Sequence, residues 1–269
     1  MPLIIIGSIL SLAMGIILGL IGGGGSILTL PILVYFFGFS VSIATAYSLF
    51  VVGLTSAVGI VIVARKKMID IRAAAIFAPI SAATVFSVRR FLLPALPEAF
   101  ELKAWHVSLD TILLLVFALV MLASSISMIW YNRSEKSQNQ QDARSPVRMG
   151  IIAMFVGLLT GIVGAGGGFL FVPSLILFAS LPVKKAIGTS LAIIAVNSLI
   201  GFSGDMLGGL IVDWRFLLSF SIMPVIGIFA GNALLAHLSG PHLKKIFGWF
   251  VLITGLSIIV SNIWTLGAH

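Results

Sequence analysis

The 269-residue chain contains no cysteine, and only 9% of its residues are charged. Without cysteine it has no disulfides, no thiolate metal sites and no cysteine-based catalysis. Charges are too few to cover the surface of a soluble domain of this length. The mean hydropathy of +1.20 and the long apolar runs from end to end predict a membrane protein.

The apolar runs also exclude a β-barrel. In lipid every backbone amide must be paired within the protein, which leaves helices or a closed barrel. Runs such as 111–130 and 247–260 are apolar on every face and do not alternate as barrel strands do. The predicted fold class is therefore an all-α polytopic membrane protein. The predicted helical segments are 3–20, 26–37, 40–64, 71–88, 109–130, 149–163, 169–179, 184–206, 214–235 and 243–266.

Groups that carry catalysis or bind metals are sparse. The four histidines lie near predicted helix ends or in loops and lack metal-ligand spacing. No nucleophile pairs with a base at membrane depth, and no phosphate-binding Gly-x-x-x-x-Gly-Lys loop is present. We therefore predict no catalytic residue, no metal site, no cofactor and no enzymatic activity. Asp205, near a predicted helix end, is the best candidate if a proton has to be carried.

The chain divides into two related halves. Residues 15–59 align without a gap with residues 157–201, an offset of 142 set by Gly19 and Gly161, and 15 of the 45 pairs are identical. Shared glycine, proline and serine at one offset indicate an internal repeat more strongly than shared leucine does. The predicted domains are a first transmembrane repeat (1–130), a polar cytoplasmic linker (131–148) and a second transmembrane repeat (149–269).

The net charge of +8 comes from basic residues at helix ends, which favours lipid headgroups over nucleic acid as the partner. Placing the basic clusters at 65–67, 133–148, 184–185 and 244–245 in the cytoplasm puts both termini outside. The equivalent helices 40–64 and 184–206 then cross in opposite directions, so we predict two inverted repeats of about five helical segments each. Arg89 and Arg90 are the exception and fall on an outer loop.

Each half carries a glycine-rich run inside an apolar segment, at 22–25 and 164–168. Such residues cost about 1 kcal/mol each in a helix relative to alanine, so a compensating role is expected. A short helix follows each run, and its free N–H groups suit an anion. Since no arginine or lysine lies centrally in the predicted membrane segments, backbone amides would supply the positive potential. The alternative is that the glycines serve only close helix packing.

Polar residues on two helices extend this predicted anion site. Ser48, Thr55 and Ser56 share one helical face, and Asn197 stands out because an amide in lipid needs several partners. The alternative is that these groups bond other helices or their own backbone. The predicted substrate-binding residues are Gly22, Gly23, Gly24, Gly25, Ser26, Ser48, Thr55, Gly164, Gly166, Gly167, Gly168, Thr189, Ser190 and Asn197.

The paired motifs resemble those of the TauE/SafE family of sulfite exporters. They read GLIGGGGSILTLP at 19–31 and GIVGAGGGFLFVP at 161–173, followed by AYS at 46–48 and GTS at 188–190. The resemblance implies a multi-pass transporter of a bacterial or archaeal plasma (inner) membrane that exports sulfite, an organosulfonate or a related small anion. The alternatives are a transporter of a different small solute or a metal ion, and a non-transporting membrane scaffold. The substrate, coupling ion, transport direction and oligomeric state, a homo-oligomer included, stay open.

Overall fold

The computed structural model describes residues 2–23, 25–96, 99–102, 105–130, 145–164, 166–235 and 237–267. Within them the chain is almost entirely helical, which confirms the predicted fold class. The helices are α1 (Pro2–Ile21), α2 (Gly25–Pro31), α3 (Val41–Arg65), α4 (Ile71–Ser87), α5 (Leu109–Trp130), α6 (Pro146–Val163), α7 (Gly168–Leu177), α8 (Val183–Leu207), α9 (Trp214–Leu235) and α10 (Gly240–Gly267).

Shorter elements extend or join these helices. A π-helical turn, Ile32–Phe36, continues α2. A second π-helical turn, Val88–Leu92, continues α4 and leads into a 3₁₀ turn, Leu93–Ala95. Strands β1 (Ala99–Leu102) and β2 (Trp105–Ser108) pair as an antiparallel hairpin before α5. A loop was expected here from the sequence, and the hairpin was not predicted.

The predicted helix bounds agree with the structure to within a few residues, and those of α5 and α9 match it. The linker is the largest difference. Its residues 131–144 lie outside the described part of the chain, whereas Ser145 is the N-cap of α6 and Pro146 opens its first turn. Proline suits the first helical position because its missing N–H would have no intrahelical partner there.

The helices have the length and surface expected in a membrane. Five helical segments among the described residues are long and apolar enough to cross one, namely Val41–Arg65, Ile71–Ala95, Pro146–Val163, Val183–Leu207 and Trp214–Leu235. Large apolar side chains such as Ile151 and Phe155 are more than half exposed on the outside of the bundle. An apolar surface of this kind is unfavourable in water but compatible with surrounding lipid. The chain is thus a multi-pass membrane protein.

Helices α1 and α2 form a hairpin. A Cβ placed on Gly25 would lie 2.6 Å from the Cβ of Leu18, and the hydroxyl of Thr29, one turn later, lies 2.8 Å from the Met14 sulfur, one turn earlier. The second helix therefore folds back along the first. At the second break a Cβ on Gly167, the N-cap of α7, would overlap the side chain of Thr160, so the chain turns back against the last turn of α6 there.

Helices α3 and α8, which are equivalent under the 142-residue offset, pack against each other. A Cβ on Gly201 would lie 3.2 Å from Leu49, and one on Gly59 would lie 3.6 Å from Leu191. Gly53, between Leu49 and Gly59, faces Leu199 in the same way. As residue numbers rise along α3 they fall along α8, so the two helices run antiparallel.

Other contacts also recur between the halves. Gly15 of α1 lies against the backbone of Pro224 on α9, and Gly157 of α6 lies against the backbone of Ser81 on α4. The hydroxyl of Thr189 accepts a hydrogen bond from the Asp70 N–H at 2.9 Å, and that of Tyr47, its equivalent, accepts one from the Asp213 N–H at 2.8 Å. Each half thus contacts the other through corresponding positions. The corresponding pairs with positive φ are Gly22 and Gly164, Gly38 and Ser180, and Lys67 and Gly209.

Candidate functional site

Both glycine runs interrupt a helix, as predicted. Helix α1 ends at Ile21 and α2 begins at Gly25, while α6 ends at Val163 and α7 begins at Gly168. The left-handed backbone conformation at the breaks is one that glycine adopts without the Cβ clash. It is found at Gly22, Gly164, Gly166 and Gly167.

The two breaks touch inside the bundle. A Cβ on Gly23 would overlap the backbone of Gly168, and one on Gly168 would lie 2.8 Å from the carbonyl oxygen of Gly23. Glycine is therefore required at both positions by the approach of one backbone to the other. Gly24, also among the predicted site residues, lies outside the described residues.

Several predicted hydroxyls are already hydrogen-bonded. Ser26 donates to the Gly23 carbonyl at 2.6 Å, and Ser190 donates to the Gly22 carbonyl at 2.7 Å. The Gly23 carbonyl also accepts from the Ser26 N–H at 3.2 Å, whereas the Ser190 hydroxyl supplies the Gly22 carbonyl with a partner at the end of α1. Thr55 instead donates to the Val51 carbonyl of its own helix at 2.7 Å, and Thr189 binds Asp70 at a helix end. Thr55 and Thr189 are not brought to the breaks by these contacts.

Other hydroxyls are buried without a partner among the described residues. They belong to Ser48, Ser56, Thr160 and Ser198. Two of them lie at the second break. A Cβ on Gly166 would lie 3.0 Å from Ser198 Oγ, and a Cβ on Gly167 would overlap Thr160 Oγ1. A buried hydroxyl without a partner costs about 1–3 kcal/mol, which a bound acceptor would offset. Sequence reasoning missed Thr160, whose only signal is a polar residue in an apolar run.

Asn197 lies in the core but contacts the other half of the chain. Its amide Nδ2 donates to the hydroxyl of Ser81 on α4 at 2.8 Å, and both side chains are fully buried. This contact favours the interhelical alternative for Asn197 over direct ligand binding.

We expect Asn197→Leu to lower the free energy of unfolding by about 1–3 kcal/mol, since it leaves the Ser81 hydroxyl without its interhelical partner. Thermal unfolding of the purified protein in detergent measures the loss. Adding Ser81→Ala should recover part of it, because no interhelical polar group is then left behind. Equal melting temperatures for wild type and Asn197→Leu would show that the hydrogen bond contributes nothing.

Arg89 corrects the sequence analysis, which placed it on an outer loop and expected no buried cation. It lies in the π-helical turn that continues α4, inside the candidate span Ile71–Ala95, and its side chain is only 4% exposed. Its Nη1 donates to Thr45 Oγ1 at 3.2 Å. The guanidinium also packs against Gly164, where a Cβ would overlap Nη2. A fixed positive charge therefore adjoins the second break.

Asp205, near the end of α8, accompanies this arginine. Its Oδ1 lies 3.6 Å from Arg89 Nη1, and its side chain is 11% exposed. The two side chains border a cavity of about 270 Å³ between the ends of α3, α4 and α8. The cavity is lined by Ser42, Ile43, Thr45, Ala46, Arg89, Leu93, Pro94, Leu113, Asp205, Gly208 and Leu210.

Comparison with known proteins identifies the family and relatives of the chain. A family model described as "Sulfite exporter TauE/SafE" matches residues 8–258. A probable membrane transporter protein of Xylella fastidiosa (strain 9a5c) is 30% identical over 250 residues, covering 91% of this chain and 90% of the relative. The probable membrane transporter protein YunE of Bacillus subtilis (strain 168) is 26% identical over 274 residues, covering 96% and 97%. No solved structure matches the chain significantly.

Proposed function

The chain belongs to the sulfite exporter TauE/SafE family of membrane transporters, and from this premise we propose that it exports sulfite, an organosulfonate or a related small anion. The observation that carries the proposal is the contact of two helix breaks at Gly23 and Gly168. Irregular backbone at membrane depth is tolerated where it is buried or lines a cavity, and transporters place their substrates at such breaks. The family and the names of the relatives favour transport over catalysis.

The proposed site lies near the midplane, where the two breaks meet. Buried hydroxyls of Ser48, Ser56 and Ser198 have no partner among the described residues and could donate to an oxyanion. The breaks contribute backbone N–H groups, and Arg89 adds a positive charge. Ser26, Ser190, Gly22 and Gly25 form the wall of the first break, and Gly164, Gly166, Gly167 and Gly168 that of the second.

We also propose that 1–130 and 149–269 are inverted repeats. Support comes from the antiparallel packing of α3 and α8 and from corresponding contacts, whose residues are offset by 142 on α1 and α3 and by 143 after a one-residue insertion. The two hairpins, α1–α2 and α6–α7, then enter the membrane from opposite sides. With the basic clusters in the cytoplasm, both termini and Asp213 lie outside a bacterial or archaeal plasma membrane.

Anion binding to purified protein in detergent tests the proposed substrate class. Sulfite, thiosulfate, sulfoacetate, sulfate and chloride are compared by thermal shift, since a ligand of the native state stabilises it by RT ln(1 + [L]/Kd). We expect one sulfur anion at about 100 times its dissociation constant to stabilise by about 2.7 kcal/mol. Efflux of that anion from proteoliposomes should then exceed efflux from empty liposomes.

Gly38→Ala provides a control for the thermal shift. Gly38 lies in a loop where no atom of the described residues comes within 4 Å of its Cβ position, so this variant should respond to the anion as wild type does, whatever its own melting temperature. Stabilisation by a cation or neutral solute, with none by any anion, would contradict the proposed substrate class and leave only membrane transport.

A further inference from the structure

We propose that Arg89 is the anion-binding residue of an outer vestibule and that Asp205 is a tethered competitor which the anion displaces. The inference rests on the proposed function and deepens it, because it assigns the cation that meets the substrate. It starts from the state of the guanidinium. Arg89 is almost fully buried, yet its Nε and Nη2 have no hydrogen-bond partner among the described residues.

The partners that Arg89 does have leave its Nε and Nη2 without hydrogen bonds. Nη1 donates to Thr45 Oγ1 at 3.2 Å, and that hydroxyl in turn donates to the Ser42 carbonyl at 2.8 Å. The 3.6 Å separation from Asp205 Oδ1 exceeds the usual 2.7–2.9 Å of a charge-assisted hydrogen bond. The Nε and Nη2 groups are buried with unused hydrogen-bonding capacity. Once the guanidinium turns toward the cavity, they would bind two oxygens of one planar or tetrahedral oxyanion side by side.

Asp205 is incompletely satisfied as well. Its Oδ2 is buried without a partner among the described residues. Two buried charges at this distance have given up hydration without gaining the hydrogen bonds that usually offset the loss. An anion that bonds Nε and Nη2 would supply those bonds to Arg89, and the carboxylate would turn toward the cavity. Asp205 thus competes with the anion for the charge of Arg89 from the Nη1 side, while the anion takes the edge formed by Nε and Nη2.

The cavity indicates which anions fit. Its volume of about 270 Å³ equals roughly nine water molecules at their liquid volume. Apolar side chains of Ile43, Leu93 and Leu113 line it together with Pro94. An oxyanion head on Arg89 with a short apolar body along these side chains satisfies both surfaces. The structure therefore assigns a small organosulfonate to this vestibule in preference to sulfate, whose four oxygens would face apolar walls.

The second glycine break adjoins the same arginine. Because the guanidinium packs directly on Gly164, an anion held by Arg89 lies at the edge of the proposed midplane site. Asp205, Gly208 and Leu210 line the cavity from the end of α8 and the loop after it. The vestibule thus extends from the outer helix ends, in the orientation proposed above, to the break.

The assignment is tested by isothermal titration calorimetry, in which propane-1-sulfonate is titrated into the full-length protein in a nonionic detergent. We expect Arg89→Gln to weaken binding at least about tenfold, which corresponds to a loss of about 1.4 kcal/mol or more in binding free energy. Arg90→Gln, which removes the same charge from the neighbouring residue, should bind as wild type does. Asp205→Asn should bind several-fold more tightly, because the competing carboxylate is gone.

Arg89→Gln leaves a buried carboxylate unpaired and is at risk of misfolding. The double variant Arg89→Gln/Asp205→Asn carries neither charge, so it should elute as a single species and still fail to bind. Wild-type affinity in the double variant, or a loss of binding in Asp205→Asn equal to that in Arg89→Gln, would overturn the proposal.

Efflux measurements separate this inference from the proposed function. If wild type exports the sulfur anion and the double variant exports it equally fast, Arg89 is not its ligand and the export function stands. If propane-1-sulfonate binds with the expected dependence on Arg89, yet no sulfur anion is exported, the vestibule assignment stands and the export function is wrong.

Discussion

Gly168→Ala should reduce anion efflux from proteoliposomes to the level of empty liposomes. The added Cβ would overlap the Cα of Gly23 and lie 2.8 Å from both the Gly23 carbonyl oxygen and the Ile194 side chain. Two of these neighbours are backbone atoms, so the clash can be relieved only by separating the two helix breaks. Overpacking of a closely packed core costs about 1–3 kcal/mol, and we expect the melting temperature to fall accordingly.

Gly150→Ala is the matched control for this substitution. Gly150 lies on α6, in the same half of the chain, and among the described residues its Cβ position meets only the Ile80 side chain, at 3.1 Å. The tip of that side chain can rotate away, and alanine favours a helix over glycine by about 1 kcal/mol. This variant should therefore transport like wild type and melt at the same or a higher temperature.

The two outcomes of Gly168→Ala have different meanings. A folded variant without efflux would indicate that contact between the breaks is needed for transport. Efflux at the wild-type rate, despite a lower melting temperature, would show that the breaks only pack against each other. The packing alternative, in which the glycines serve only close helix approach, requires that second result for other substitutions at the two breaks as well.

The helices and breaks were predictable because the causes are local. Long apolar runs must be helical in lipid, and the glycine runs carry their own backbone preference. The internal repeat is visible in the sequence because glycine and proline mark backbone geometry rather than hydrophobicity. Helix α5, for example, begins and ends at the predicted residues, Leu109 and Trp130.

Arg89 could not be placed from the sequence because its environment is assembled from distant segments. Two adjacent arginines after an apolar run usually mark the membrane surface. Here a π-helical turn prolongs α4, so that Arg89 points into the protein while Arg90 remains half-buried at its edge. Its partners Thr45 and Asp205 come from α3 and α8, and no spacing in the sequence relates the three.

The hydroxyl residues were predicted in part for the same reason. The helical spacing of Ser48 and Thr55 places them on one face, but it does not decide which hydroxyl bonds its own backbone. In the structure Thr55 does so, while Ser48 lacks a partner among the described residues. That difference depends on what packs opposite each residue, which periodicity alone does not contain.

Single cysteines at equivalent positions should be labelled from opposite sides of the membrane. The natural chain has no cysteine, so each introduced thiol is the sole target of an impermeant maleimide and wild type is the blank. Arg65 and Leu207 are equivalent exposed residues at the ends of α3 and α8, and Ser40 and Pro182 are the corresponding N-caps. In intact spheroplasts we expect labelling of Leu207→Cys and Ser40→Cys, whereas Arg65→Cys and Pro182→Cys should react only after permeabilisation.

The labelling pattern tests inversion and orientation separately. Labelling of Arg65→Cys and Leu207→Cys from the same side would contradict inverted repeats, because α3 and α8 would then cross in one direction. Opposite sides in the reverse sense would retain the inversion and place the basic clusters outside. The distinction bears on mechanism, since inverted repeats can exchange conformations to open one site to either side in turn. Arg89 corresponds to no second arginine in that exchange. With the one-residue insertion that aligns Asp70 with Asp213, its equivalent position is Asn232, whose backbone carbonyl accepts a hydrogen bond from Lys66 at 3.0 Å. The outer entrance at Arg89 and its counterpart on the cytoplasmic side would therefore hold an anion with different groups.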